Sequence, residues 1–218
     1  MLQVWHDLLF AHWPIPAETM REHVPAQLSL DMLDGQCWIG VVPFHMSGVR
    51  PRWLPALPGL SRFPELNVRT YVTVGGKAGV YFFSLDAANL VAVLAARLSY
   101  RLPYFWARME THTTNNEVTY SSIRKVGNAS FAGNYRPTAP PEQPQRNSLE
   151  HWLTERYRLY TVHGGECTSA TFITFPGHCR PPRLSFVRTA WPMRPASHFP
   201  IAHPCFTFPV GRRYSSGP

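Results

Sequence analysis

The stretch Phe63–Ala87, FPELNVRTYVTVGGKAGVYFFSLDA, decides the fold. Val68, Thr70, Val72 and Val74 alternate with Arg69, Tyr71 and Thr73, the period of a strand with two distinct faces. After Gly75-Gly76-Lys77-Ala78-Gly79 a second β-branched and aromatic run, Val80 to Leu85, begins, so the pattern predicts a β-hairpin closed by a glycine loop. Asp86 then stands as a helix cap ahead of a run rich in Ala, Leu and Val, Ala87 to Leu102, which Pro103 closes. That run reads as a buried helix. Arg97 lies inside it, where an unpaired guanidinium would be costly, so it should meet a carboxylate or a ligand anion. Glu65, at the head of the hairpin, is the expected partner.

Toward the N-terminus, Leu2 to Trp13 suits one strand, Pro14-Ile15-Pro16 ends it, and Ala17 to Val24 reads as a short helix stopped by Pro25. Leu28 to Met32 and Cys37 to Met46, joined through Asp34-Gly35, predict a second hairpin. Val49 to Pro64 carries Pro51, Pro55, Pro58 and Pro64 and reads as a long ordered loop or lid. Beyond the helix, Tyr104 to Thr111, Glu117 to Lys125 and Ala129 to Arg136 read as a three-stranded meander. Thr138 to Gln145 is a proline-rich surface connection. Ser148 then caps a helix whose Leu149, Trp152, Leu153 and Arg156 share a stripe.

The hairpin region resembles the uncharacterised YqjF-like family of the acetoacetate decarboxylase-like superfamily. The resemblance rests on Pro64-Glu65-Leu66-Asn67, Ser84-Leu85-Asp86-Ala87, Ala96-Arg97 and Leu102-Pro103-Tyr104-Phe105. Asp34 to Phe44 and Thr154 to Tyr160 fit it too, so it covers roughly Trp5 to His163. It implies a mainly β (α+β) fold, an antiparallel β-barrel, closed or cone-like, with a few helices. It also implies a pocket, because a small barrel of this kind can enclose one ligand.

The superfamily's founding chemistry is Schiff-base decarboxylation of a β-keto acid, which needs a lysine whose amine is kept neutral by desolvation or a neighbouring cation. In the decarboxylases Pro-Lys-Lys follows the helix; Pro103-Tyr104-Phe105 occupies those positions here. The chain's two lysines, Lys77 and Lys125, sit in a hairpin loop and at a strand end. The expectation is therefore a pocket for a small organic acid without a Schiff base. Glu65, Arg97 and Tyr104 are the candidate catalytic residues, and Asn67 and Arg69 the candidate substrate-binding ones. In that reading Arg97 or Arg69 clamps a carboxylate, Glu65 is a general acid or base, and Tyr104 donates a hydrogen bond. Glu65 and Arg97 as a purely structural buried ion pair, and Arg69 as a solvated residue, fit the same pattern. A non-catalytic binding protein and a non-functional product are the alternatives for the whole chain.

The 218 residues are enough for one ordinary core, with no apolar run of membrane-spanning length and no signal-peptide pattern, so the cytoplasm is the default compartment. Net charge is +8, but up to Gly165 there are 15 basic against 12 acidic residues, while the remainder sets six arginines against Glu166 alone. Basicity confined to a tail argues against nucleic acid as a partner. Oligomeric state is left open, a homo-oligomer included. No CxxC pair or metal-ligand spacing appears, and His6 and His12 read as strand-surface histidines, so neither metal nor cofactor is expected.

After Gly165 the chain changes character, with nine of its 22 prolines and no Asp or Lys. A disordered basic tail is one reading. The codons support another: a frame beginning one base earlier permits a Trp-Pro motif, an Asn-Ser-Met segment and a closing strand ending VLVWP, all like a continuation of the family. The expected organisation is thus an acetoacetate decarboxylase-like domain over residues 1–165, incomplete at its C-terminus, followed over 166–218 by an out-of-frame, poorly ordered tail that begins with a frameshift near Gly164-Gly165.

Overall fold

The computed structural model describes residues 2–50, 55, 60–137 and 144–171 and the backbone of 185–187. In chain order the elements are β1 (Leu2–His6), β2 (Leu9–Ile15), α1 (Ala17–Arg21), β3 (Ser29–Leu30), β4 (Cys37–Arg50), β5 (Phe63–Val74) and β6 (Lys77–Ala87). There follow α2 (Leu90–Tyr100), β7 (Tyr104–Thr114), β8 (Glu117–Arg124), β9 (Ser130–Tyr135), α3 (Leu149–Thr154), β10 (Arg158–His163), β11 (Glu166–Thr171) and β12 (Ser185–Val187). The strands form one strongly curled mixed sheet, a half-barrel, with the path β12-β2-β4-β5-β6-β7-β8-β9. The mainly β architecture with few helices is as expected. Most pairings are antiparallel, as expected; β6 runs parallel to both β7 and β10, and β12 parallel to β2.

The β5–β6 hairpin is the spine. Its loop is tighter than the glycine run suggests, because Val74 pairs with Lys77 and only Gly75 and Gly76 turn the chain. Both have positive φ, +56° and +71°, as a two-residue turn matched to strand twist requires. Both faces of β5 are buried. Leu66, Val68, Thr70 and Val72 meet one half of the core, and Glu65, Asn67, Arg69 and Tyr71 the other.

Several expected boundaries move, each for a local reason. Leu2 to Trp13 is two strands, not one, broken where Asp7 adopts φ +50°. Leu28 to Met32 does not form a hairpin with the next strand: β3 pairs with β5, and Asp34-Gly35 closes only the isolated bridge Leu33–Gln36. The expected lid shrinks, since β4 continues to Arg50 and β5 begins at Phe63; positions 51–54 and 56–59 lie outside the described residues. Asp86 is not a helix cap. It belongs to β6, and Asn89 caps α2, its side chain accepting from the Ala92 amide at 3.1 Å.

The helix itself is not buried. Among its residues Val93 reaches the core, while Leu94 and Leu98 are exposed, Leu98 by 84%. The meander β7–β8–β9 forms as the pattern predicts, and Ser148 caps α3, which ends at Thr154 and leaves Arg156 beyond the helix. At the far end Gly164 and Gly165 turn β10 into β11, six further paired residues. Of the expected tail, residues 172–184 and 188–218 lie outside the described residues, as do 138–143 of the proline-rich connection.

Candidate functional site

Residues opposite one another in a ladder point to the same face of a sheet, so the pairings show which side chains converge. Asn67 lies opposite Val42 and Leu85, Leu85 opposite Tyr104, Arg69 opposite Gly40, and Gly40 opposite His12. Glu65, Asn67, Arg69, Tyr71, Tyr104 and His12 therefore share one face of the sheet. Alternation along β5 places four of them there at every second position.

Glu65 is buried, and the Tyr104 hydroxyl donates to its Oε2 at 3.0 Å. Tyr120 binds the same segment from the backbone side, its hydroxyl donating to the Glu65 carbonyl at 2.8 Å. Burial dominates the carboxyl's chemistry and raises its pKa to about 8; the Tyr104 hydrogen bond opposes this and the nearby Asp86 charge adds to it. At neutral pH the group is mostly a protonated acid, poised to give or take a proton near pH 8. The same enclosure and the Glu65 charge push the Tyr104 phenol well above its usual value.

Four positions along the strand, Arg69 is 7% exposed. Its Nη2 donates to the Leu153 carbonyl at 3.3 Å and the Tyr71 hydroxyl at 3.4 Å, and its guanidinium lies 5.1 Å from the Phe10 ring centroid. No carboxylate pairs with it among the described residues. His12 completes the group, its Nε2 2.6 Å from the Tyr71 hydroxyl oxygen. Burial, reinforced by the Arg69 charge, lowers its pKa to about 3, so it is a neutral imidazole. Gly40 makes room for it: a Cβ there would come within 2.8 Å of His12 Nε2.

Two buried polar atoms on this face, Asn67 Oδ1 and Arg69 Nε, have no hydrogen-bond partner among the described residues. Unsatisfied buried groups are rare, and water or a ligand is the usual reason for them. The structure thus brings together Glu65, Tyr104, Asn67 and Arg69 and leaves out Arg97. Arg97 is exposed on α2, its Nε donating to the Tyr104 carbonyl at 2.6 Å, and it does not bridge to Glu65. The expected Glu65–Arg97 ion pair is replaced by Glu65–Tyr104, because α2 turns the arginine to solvent. Arg69, in contrast, is not solvated.

Sequence reasoning missed His12, which is not a surface histidine, and a second charged pair. On the opposite face of β6, Arg124 donates from Nε and Nη2 to Asp86 Oδ1, at 3.0 and 2.5 Å, with both side chains almost fully buried. The signal for Arg124 was available: Val118, Tyr120, Ser122 and Arg124 alternate, and all four point inward. No group of three or more metal-ligating side chains occurs among the described residues, and no helix there is long and apolar enough to cross a membrane.

The strongly curled β half-sheet with few helices matches acetoacetate decarboxylase-like structures. An acetoacetate decarboxylase-like enzyme from Sphingomonas wittichii RW1 matches with a TM-score of 0.53 at 14% identity, over 78% of this chain and 69% of that one. An acetoacetate decarboxylase matches at 0.52 and 11% identity, over 72% and 57%. The enduracididine biosynthesis enzyme MppR, complexed with pyruvate, matches at 0.51 and 8% identity, over 77% and 66%. By sequence, residues 2–178 match the model of a family described as an uncharacterized conserved protein. The uncharacterized protein YqjF of Bacillus subtilis (strain 168) is 49% identical over 164 residues, 75% of this chain and 68% of its own length. The chain belongs to this YqjF-like family.

Proposed function

We propose that this chain binds a small organic acid on the Glu65 face of β5, with Arg69 receiving the carboxylate and the Glu65–Tyr104 pair moving a proton, without a Schiff base. The observation that carries the reading is the Arg69 guanidinium, buried with an unpartnered Nε and no carboxylate counter-ion among the described residues. A buried cation without a counter-charge is costly, and an anionic ligand removes that cost. Asn67 stands between the cation and the acid on the same face, and its Oδ1 has no hydrogen-bond partner among the described residues. Glu65 and Arg69 are four residues apart on a strand, about 13 Å between Cα atoms. The long arginine side chain shortens that span, so a short acid reaches from one group toward the other.

Both lysines lie elsewhere: Lys77 is exposed at the hairpin tip, and Lys125 is exposed with its Nζ 5.5 Å from the Trp106 ring centroid. A protonated Glu65 can polarise a substrate carbonyl by hydrogen bonding, the role that an iminium takes in a lysine enzyme, and can separately give its proton to a developing enolate carbon. The test is calorimetric titration of the full chain with short 2- and 3-oxo acids, pyruvate and acetoacetate among them, followed by NMR of each acid after long incubation. Binding that falls at least tenfold in Arg69→Gln supports the clamp; equal affinity in both chains refutes it. Conversion that stops in Glu65→Gln while binding persists identifies an enzyme. An acid recovered unchanged from the wild-type chain identifies a binding protein.

A further inference from the structure

The opposite face of the hairpin holds a cavity of about 250 Å³ that the organic-acid site does not use. Leu66 and Val68 form one wall, from the β5 face that turns away from Glu65, and Phe131 of β9 forms another. Its polar lining is the Asp86–Arg124 pair together with His23, Ser84 and Ser130, and the pair carries its formal charges. Phe105 covers it, with the Arg124 guanidinium carbon 3.8 Å from the ring centroid. Apolar cavities of about 150 Å³ accept benzene, so this one has room for a ring bearing a short substituent.

The pair also defines the head group such a ligand carries. Nε and Nη2 of Arg124 both donate to Oδ1 of Asp86, and neither Nη1 nor Asp86 Oδ2 has a hydrogen-bond partner among the described residues. Arg124 therefore keeps further N–H donors, and Asp86 one acceptor oxygen, beyond those the pair itself uses, and both residues line the cavity. The pair is already neutral as a unit. A carboxylate head would face the charge of Asp86, and an ammonium head that of Arg124, each after losing its own hydration. A neutral group offering one acceptor and one donor meets both at once, as a primary carboxamide does.

We propose that this cavity is a second ligand site, specific for a small aromatic or branched aliphatic molecule carrying a neutral carboxamide. It stands on residues separate from those of the organic-acid site, so either can fail without the other. No bond is made or broken in it; the function is recognition.

The test uses the full chain with its Ile, Leu and Val methyl groups isotopically labelled, titrated with phenylacetamide, phenylacetate and ethylbenzene. Phenylacetamide is expected to saturate in the millimolar range or tighter, shifting the methyl signals of Leu66 and Val68 and giving intermolecular contacts to them. Phenylacetate, of the same shape but charged, and ethylbenzene, with no polar head, are each expected to bind at least tenfold more weakly. Absence of saturable shifts at Leu66 and Val68 with phenylacetamide overturns the site. Equal binding of ethylbenzene or phenylacetate overturns the role given to Asp86 and Arg124. These readings come from the wild-type chain, so no variant has to fold for the outcome to count.

Discussion

Glu65→Gln should make this protein more stable, and increasingly so as pH rises. Glutamine has the shape of the protonated acid but cannot ionise. In the unfolded chain Glu65 loses its proton near its ordinary value of 4.5, whereas in the folded chain it holds the proton to about 8. Between those values the native state binds one proton more than the unfolded state, so stability falls as pH rises, by ~1.4 kcal/mol per pH unit. The accumulated loss is roughly 3 kcal/mol at pH 7 and roughly 5 kcal/mol above pH 8. The variant escapes it, and the two chains should be nearly equal at pH 4.5.

His12 shapes the acid side with the opposite sign. Its folded pKa is lowered from 6.5 to about 3, so between those values the unfolded state holds the extra proton and stability rises with pH. From pH 4.5 to 6.5 the two slopes cancel in the wild-type chain, which should be flat there and decline above. Glu65→Gln should instead climb to pH 6.5 and then hold level. Urea unfolding followed by fluorescence of the seven tryptophans, at half-unit steps from pH 4 to 9, measures both curves. Parallel curves between pH 5 and 8, or a variant weaker than wild type at pH 8, would show that the carboxyl is ionised and paired in the native state and would refute the reasoning.

Other perturbations have equally definite outcomes. Tyr104→Phe removes the hydrogen bond that holds Glu65 down, so a ¹³C-carboxyl titration of that side chain should move above about 8; an unchanged or lower midpoint contradicts the pairing. Gly79→Ala would place a Cβ 2.5 Å from the Arg158 carbonyl and 2.7 Å from the Tyr160 ring, so the cost should be roughly 1–3 kcal/mol with faster amide exchange at Leu159 and Tyr160. Wild-type stability in that variant would mean the two strands are not in contact there. For residues 166–218, the out-of-frame reading predicts that an independent read of the coding DNA across codons 155 to 218 contains one base more or fewer than the printed frame. An identical read removes that hypothesis.

What the sequence disclosed depended on whether the deciding contact was local. The β5–β6 hairpin and the β7–β8–β9 meander were readable because alternation and turn residues lie within a dozen positions of one another. Glu65, Asn67 and Arg69 were singled out by the family-like motifs around them, and alternation along β5 puts them on one face. Arg97 was misplaced because an apolar helix looks alike whether its stripe faces a core or solvent, and α2 contributes Val93 alone to the core. Asp86 passed for a cap because it stands directly ahead of an Ala-, Leu- and Val-rich run, whereas β6, buried on both faces, continues through it to Ala87. His12 needed knowledge that a glycine, Gly40, stands across the ladder from it, and no local pattern carries that information.

The far edge of β6 is divided between two strands that arrive at different times. β7 takes Leu85 to Ala87 soon after α2, but Val80 and Tyr81 wait for Leu159 and Tyr160, made about 80 residues later. At ribosomal rates of about 5–20 residues per second, that interval is on the order of ten seconds. During it the nascent chain presents open backbone donors and acceptors beside an aromatic side chain, a template for pairing with another copy. Conditions that slow translation between codons 81 and 159 should therefore lower the yield of folded protein more than the same pause placed before codon 63.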